Sequence, residues 1–212
     1  MSELILLCRP EEVNEALRCG LKVACAAWQV GTEGGLWRLP VPRTGIDMPA
    51  VFDAHGHGSA ALKAEIRSEC ARLGADTLLY FAPTSGKISI EGCRVYCPRS
   101  TALSGGELSL LFAAHDAALI EPVMEYFTLP SKNGSGEPIN PAQLKACADA
   151  AECSGFSAEL GCKYHFTRFG CVLYDDAETI GYKLKLLKEL GVKVIVLPYM
   201  SEPVREFLRK YP

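Results

Sequence analysis

Two histidines in the segment 53–58 form the most distinctive chemical pattern of the sequence. The segment reads Asp-Ala-His-Gly-His-Gly and follows a short apolar run. Histidines two positions apart at the end of a strand point to the same side and can share a metal ion. The flanking glycines allow the backbone to turn tightly. His55 and His57 are therefore candidate ligands for a divalent metal. The alternative is a polar loop in which both histidines are exposed or bonded to the backbone.

Three carboxylates at the ends of predicted strands form a second pattern, namely Asp53, Glu125 and Asp175. Glycoside hydrolysis needs two carboxyl groups, one as the acid and the other as the base or nucleophile. Glu125 lies in the apolar run 122–130, where burial would favour its protonated form and suit it to general-acid catalysis. The alternatives are a Glu125 paired with a lysine on the outer face of its strand, and an Asp175 that only caps a helix.

Three tyrosines are candidates for contact with a ligand. Tyr80 and Tyr126 lie in predicted strands, and Tyr164 lies in the segment before the strand predicted at 171–174. Aromatic rings have large apolar faces that can stack on a sugar ring, although such residues equally form cores and rims. We therefore predict a ligand-binding role for these tyrosines, with core packing as the alternative.

Short apolar runs alternate with helical patterns along the chain, which is typical of parallel α/β folds. Eight runs are predicted to be strands, at 3–8, 21–27, 49–53, 75–82, 93–97, 122–128, 171–174 and 192–197. Helices are predicted after Pro10, from Ser59 to Leu73, after Ser104, after Asn140, after Asp175 and from Glu202 to Lys210. The Asp175 helix is predicted to begin with a capping box formed with Glu178.

A small (β/α)8 TIM-like barrel with some helices missing accounts for this order of elements. The missing helices are those after the second and fourth strands. At 212 residues the chain is near the lower size limit of that fold. No linker divides the chain, so one domain over residues 1–212 is expected. The alternative is an open doubly wound sheet, although no G-x-G-x-x-G follows the first strand.

Composition limits the partners and the compartment. A net charge of −3 argues against a nucleic-acid surface, which is normally basic. No apolar run reaches the roughly 18 residues that span a bilayer, so no membrane contact is expected. The ten cysteines lack CxxC spacing, and no secretion signal is recognised. We therefore expect reduced thiols, a cytoplasmic location and a small-molecule or carbohydrate ligand. The oligomeric state stays open.

The C-terminal third contains VLYDDAETIGYKL at 172–184 and the strand 192–197, which follows Leu190-Gly191. These segments resemble the closing unit of chitinase-like glycoside hydrolase barrels. The segments FTLPSKNG at 127–134 and FSAELGCKYHFT at 156–167 resemble an uncharacterised barrel family of anaerobic, spore-forming bacteria. These resemblances imply a TIM barrel and a carbohydrate ligand.

The sequence departs from the chitinase-like pattern at the fourth strand. In that family the strand ends in a run of acids, the last of which is the glutamate that donates the proton. The corresponding stretch here, GADTLLYFAP at 74–83, ends in Phe81, Ala82 and Pro83. The resemblance therefore implies the fold without the activity.

Three functions follow from these patterns. The first is a glycoside-hydrolase-like barrel that binds a carbohydrate or another polar ligand and has lost its catalytic acid. The second is a metal-dependent hydrolase built on His55 and His57, a pair similar to the His-x-His of amidohydrolase barrels. The third is a non-catalytic structural or binding protein. No cofactor is expected apart from the metal of the second function.

Overall fold

The computed structural model describes residues 2–42, 45–56, 58–81, 90, 94–96, 99–100, 117–129 and 136–211. The strands are β1 (Glu3–Cys8), β2 (Lys22–Val30), β3 (Leu36–Arg38), β4 (Met48–Phe52), β5 (Thr77–Phe81), β6 (Arg94–Tyr96), β7 (Arg99–Ser100), β8 (Ala117–Leu119), β9 (Met124–Thr128), β10 (Glu137–Pro138), β11 (Cys153–Ser157), β12 (Cys162–Thr167), β13 (Gly170–Tyr174) and β14 (Val194–Pro198). The helices are α1 (Val13–Ala16), flanked by single 3-10 turns, α2 (Ala60–Leu73), α3 (Pro141–Asp149), α4 (Ala177–Glu189) and α5 (Glu202–Lys210).

The larger sheet is parallel and curls into a partial TIM-like barrel. Its strand order is β6-β5-β4-β2-β1-β14-β8-β7, with β3 antiparallel to β2. β6 and β7 stand at opposite ends of this order, yet only residues 97 and 98 separate them along the chain. So short a stretch spans at most about 10 Å, so the two ends of the sheet lie close together. The predicted fold class is confirmed.

Apolar layers cover both faces of the parallel sheet. Side chains alternate between the two faces of a strand. One layer fills the barrel interior and includes Ile5, Leu7, Met48, Ala50, Leu79, Val194 and Val196. The other lies between the sheet and the helices, because it joins Val51, Leu78 and Tyr80 to Leu62 and Ile66 of α2 and to Ile180 and Leu184 of α4. Each residue of a barrel strand can therefore be assigned to the interior or to the helix side.

Local sequence signals place several helix ends where they were predicted. The Ser59 hydroxyl accepts a hydrogen bond from Leu62 N at 3.1 Å and begins α2. Gly74 ends that helix at φ 68°, a left-handed conformation that glycine adopts without a steric penalty. Asn140 caps α3 with Pro141 at its first position.

The predicted cap of α4 is wrong by one residue. Asp176, and not Asp175, is the N-cap, and its Oδ1 accepts from Glu178 N and Thr179 N at 3.0 and 3.1 Å. The Thr179 hydroxyl in turn accepts from Asp176 N at 2.9 Å, which completes the capping box without Glu178. The side chain of Asp175 is buried and has different partners.

A second, antiparallel sheet contains two strands that were predicted to belong to the barrel. Its order is β10-β9-β13-β12-β11. β9 and β13 match the predicted strands 122–128 and 171–174, but they pair with each other and not with the parallel strands. The connection from β12 to β13 has two residues, which can close a hairpin and cannot make a parallel crossover, so β13 pairs antiparallel with β12. The antiparallel sheet is thus inserted between β8 and α4.

Candidate functional site

Asp53 follows the last residue of β4 and is fully engaged in the local fold. Its side chain is buried, and its Oδ1 accepts from His55 N at 3.0 Å and from Gly56 N at 2.7 Å. Its Oδ2 accepts a hydrogen bond from the Tyr80 hydroxyl. Tyr80 belongs to the layer on the helix side of the sheet. The Asp53 carboxylate therefore closes the turn after β4 and points away from the barrel interior.

The barrel mouth carries an aromatic pair. Phe52 and Phe81 are the last residues of β4 and β5, and both pack against the interior layer. Their rings are stacked, with centroids 4.5 Å apart and planes inclined by 6°. Both side chains are half-buried. In the described part of β4 and β5, the interior-facing positions hold no carboxylate.

Asp175 lies at the junction between the two sheets. Its Oδ2 accepts from Lys183 Nζ at 2.6 Å and from Val123 N at 2.8 Å, and its own N–H donates to the Val123 carbonyl at 2.8 Å. The side chains of Lys183 and Asp175 are 5% and 0% exposed. Val123 follows β8 and Asp175 follows β13, so these bonds join the two ends of the inserted sheet.

This junction lies at the carboxyl end of the barrel. Val123 is four residues beyond the end of β8. α4 begins at Ala177 and leads back to the start of β14, which runs parallel to β8. Asp53 stands at the same end, after β4. Shared placement does not make the two carboxylates a pair, because the Asp53 side chain faces the helix layer and Asp175 is bonded to Lys183.

Glu125 and two of the candidate tyrosines belong to the inserted sheet. The cross-strand row Glu125, Leu173 and Tyr164 lies on one face, whereas the row Tyr126, Val172 and His165 lies on the other. Glu125 is half-buried and stands on a strand outside the barrel. Tyr80 is buried in the barrel wall at 2% exposure. The three tyrosines therefore do not form one continuous surface.

One of the two histidines of the candidate metal site lies in the part of the chain that the structure describes. His55 is exposed in the turn that Asp53 closes, and His57 lies outside the described residues. Among the described residues, no group of three His, Cys, Asp or Glu side chains is arranged to hold a metal ion. The metal site stays a prediction from the sequence.

The Tyr126 face of the inserted sheet carries polar and aromatic groups that the sequence reasoning missed. His165 stacks on Tyr174 at 4.8 Å, and its Nδ1 lies 2.7 Å from the Ser154 hydroxyl. Burial lowers the pKa of His165, so the neutral ring is favoured. Lys163 bonds to Asp176 at 2.6 Å and to Glu178 at 2.5 Å. The period-two alternation of CKYHFT at 162–167 was the available signal for this face.

Comparison with known proteins gives structural neighbours only. No family model and no curated protein matches the sequence. The spore cortex-lytic enzyme SleL of Bacillus megaterium QM B1551 is 11% identical, with a TM-score of 0.64 over 99% of this chain and 73% of that chain. SleL of Bacillus cereus is 14% identical, with a TM-score of 0.59 over 98% and 73%. A family GH18 chitinase of Cycas revoluta, in complex with allosamidin, is 9% identical, with a TM-score of 0.56 over 99% and 98%.

These neighbours show the fold. The chain has the architecture of a chitinase-like glycoside hydrolase barrel, as the resemblance of its C-terminal third implied. At identities of 14% and below, the likeness does not extend to activity. No helix in the described part of the chain is long and apolar enough to cross a membrane.

Proposed function

We propose that this protein is a catalytically degenerate, glycoside-hydrolase-like barrel that binds a carbohydrate or a similar polar ligand at the carboxyl end of its parallel strands. The observation that carries the proposal is the stacked pair of Phe52 and Phe81 at the barrel mouth. Active sites of TIM barrels are built at this end. An aromatic pair there provides apolar ring faces for a sugar and no group that can transfer a proton.

The positions of the three candidate acids support binding without hydrolysis. Hydrolysis requires two carboxyl groups about 5 to 10 Å apart on either side of the scissile bond. Asp53 is bound by two backbone amides and a tyrosine hydroxyl, and Asp175 is held by Lys183. Glu125 stands on the inserted sheet, half-buried on the Tyr164 face. Two of the three acids are thus committed to structural bonds.

Structural neighbours indicate which ligand to test first. A GH18 chitinase of Cycas revoluta was solved with (GlcNAc)3 and, as a mutant, with (GlcNAc)4. We therefore propose oligomers of N-acetylglucosamine as the first probe. Tyr126, His165 and Tyr174 on the inserted sheet provide further polar and aromatic contacts beside the junction.

Calorimetric titration with the N-acetylglucosamine trimer and tetramer tests the proposal. We expect saturable binding to the wild type, and binding at least about tenfold weaker in Phe81→Ala, since a sugar ring loses one stacking face and the stacking of a nucleic-acid base on one aromatic ring is worth about 1–3 kcal/mol. Phe166→Ala is the matched control, because Phe166 is an exposed phenylalanine on the Tyr164 face of the inserted sheet. Equal affinity in both variants would contradict a site at the barrel mouth.

A turnover assay on the same oligomers separates binding from catalysis. We expect no release of reducing ends. If release is observed, the degenerate assignment is wrong, and Glu125→Gln then tests Glu125 as the acid, because this change keeps the shape and removes the titrating proton. Loss of turnover with retained binding would assign Glu125 to catalysis.

We also propose a reducing, cytoplasmic environment and a single folding unit. All eight cysteines in the described residues are free thiols, five of them buried. Burial, together with the charge of Asp175, raises the pKa of Cys162 to about 11, which keeps this thiol protonated and unreactive. A thiol count on the unfolded, unreduced protein should find ten; six or fewer would contradict the cytoplasmic assignment.

A further inference from the structure

A cavity on the side of the barrel lies away from the mouth and has a different chemistry. Its volume is about 740 Å³, and it is lined by Arg38, Leu39, Pro40, Val41 and Arg72. Cavities of roughly 300–1,000 Å³ are the usual size for small-molecule sites. Three apolar side chains and two guanidinium groups therefore face one space of ligand size.

The cavity exists because the strand–helix unit after β2 has no helix. Within 31–42 and 45–47 the chain forms β3 and loops, where a TIM barrel would place a helix. The flank of α2 is covered there by β3 and the segment that follows it. Glu65 of α2 accepts from Leu36 N at 2.8 Å, which fixes β3 against the helix. The segment 39–41 then forms the apolar wall opposite Arg72.

One carboxylate holds both arginines in place. Glu69 Oε1 accepts from Arg38 Nη1 at 2.7 Å, and Glu69 Oε2 accepts from Arg72 Nε at 3.0 Å and from Trp28 Nε1 at 3.2 Å. Burial opposes ionisation of Glu69, but the bonds from Arg72 and Trp28 outweigh it and lower the pKa of this carboxyl. Glu69 is thus a fixed anion at the base of the two guanidinium groups.

The two arginines retain donors for a ligand. A guanidinium group has five N–H donors in a planar fork, which matches a carboxylate or a phosphate. The bonds to Glu69 use Nη1 of Arg38 and Nε and Nη2 of Arg72. Glu69 and Glu65 stand behind the two arginines, but the described residues that line the cavity carry two positive charges and no carboxylate, so positive groups face the cavity.

We propose that this cavity binds a small organic anion, with its carboxylate or phosphate on Arg38 and Arg72 and its apolar body against Leu39, Pro40 and Val41. The lining fits neither an uncharged sugar nor an inorganic ion. A sugar would give the guanidinium groups no anionic acceptor beyond Glu69, and an inorganic ion would leave the apolar wall in contact with water. The site is independent of the carbohydrate site proposed at the barrel mouth.

Tryptophan emission can report on this cavity, because Trp28 bonds to the carboxylate that holds both arginines. The chain has two tryptophans, Trp28 and Trp37. Trp28 bonds to Glu69, and Trp37 neighbours Arg38 on β3 with 71% of its surface exposed. The probes are naphthoate, naphthyl phosphate and the uncharged naphthamide, titrated into the full chain. We expect a saturable change with at least one of the anions, and binding of the amide at least about tenfold weaker, since the charge-assisted bonds are lost.

Arginine variants locate the binding. Arg38→Gln keeps most of the side chain, and Arg38 is 57% exposed and bonds to Glu69, so the variant should fold. We expect it to weaken binding of the anion by at least about threefold, and Arg38→Gln with Arg72→Gln by at least about tenfold. Arg209→Gln is the matched control, an exposed arginine paired with Glu202 on α5. Circular dichroism verifies folding of each variant.

Binding of naphthoate alone assigns a carboxylate site, and tighter binding of the phosphate assigns a phosphate site. No saturable change with either anion overturns the proposal, as does equal binding of the amide or unchanged affinity in folded Arg38→Gln. Competition by N-acetylglucosamine oligomers would place both ligands in one site and would overturn the independence of the cavity.

Discussion

The parallel sheet and the inserted antiparallel sheet use the same kinds of residue for different purposes. β14 of the barrel is buried along its whole length, whereas β11 at the edge of the inserted sheet has no buried residue. The barrel binds its polar groups internally, as Asp53 does. The inserted sheet leaves Phe156, Phe166 and Phe169 exposed, at 43, 41 and 70%. A carboxylate or aromatic residue therefore indicates a site only after its sheet and face are known.

Asp175 and Lys183 form an ion pair at the junction of the two sheets. Removal of one partner should produce the largest loss of stability. Asp175→Ala leaves the Lys183 ammonium buried without its carboxylate, which typically costs about 3–5 kcal/mol. Urea unfolding should show this loss. The double variant Asp175→Leu with Lys183→Met removes both charges and should recover much of the stability. A loss below about 1 kcal/mol in Asp175→Ala would mean that the ion pair does not stabilise the junction.

Core packing should distinguish the barrel from the inserted sheet. Leu79 is fully buried in the barrel interior, so Leu79→Ala should cost about 2–5 kcal/mol in the free energy of unfolding. Phe166→Ala removes a larger side chain, yet it should cost less than about 1 kcal/mol because Phe166 is 41% exposed and contacts Tyr164 edge-on. Equal losses in the two variants would show that the Phe166 side chain is covered in solution.

Asp53 should behave as a structural group of the barrel. Asp53→Asn keeps one oxygen for the amides of His55 and Gly56 but weakens the acceptor for the Tyr80 hydroxyl. We expect a loss of about 1–2 kcal/mol in thermal or urea unfolding, with unchanged binding of N-acetylglucosamine oligomers. Loss of ligand binding at full stability would instead assign Asp53 to the site at the barrel mouth.

The smallest expected effect is a pH dependence that comes from Glu69. Its pKa is lowered in the folded state, so the unfolded chain binds more protons than the folded one. The stability that Glu69 contributes is therefore complete above its ordinary value of 4.5 and is lost as the pH falls through the lowered pKa of the folded state. As the pH is lowered through this window, the free energy of unfolding of the wild type should decrease more steeply than that of Glu69→Gln. Parallel curves would contradict this role.

Much of the barrel could be predicted because its signals are local. Apolar runs at 3–8 and 192–197 become β1 and β14, and the Gly74 stop and the Asn140 cap stand where the sequence indicates. The inserted sheet was harder to predict. MEYFT at 124–128 has strand-forming residues, but its pairing partner is β13, more than forty residues later. Strand propensity does not specify a partner, so these two strands were assigned to the wrong sheet.

The bonding partners of the candidate side chains were likewise not predictable from the sequence. The sequence identified Asp53, Asp175 and Tyr80 as polar groups at strand ends, and the structure places Asp53 against Tyr80 and Asp175 against Lys183. Neighbours in sequence gave no hint of the Lys183 bond, because it depends on how α4 packs over the junction. The aromatic pair of Phe52 and Phe81 likewise joins residues from different strands.

By itself, the sequence determined the class of fold, because the alternation of apolar runs with capped helices is set by backbone periodicity and by hydrogen bonds between near neighbours. It also determined that the fourth strand of the barrel ends in apolar residues. The tertiary structure alone decided which sheet each strand joined and which way each candidate side chain faced. Both depend on contacts between distant segments, and a strand exposes opposite side chains to opposite faces, so one residue of register decides whether a carboxylate is a ligand or a structural anchor.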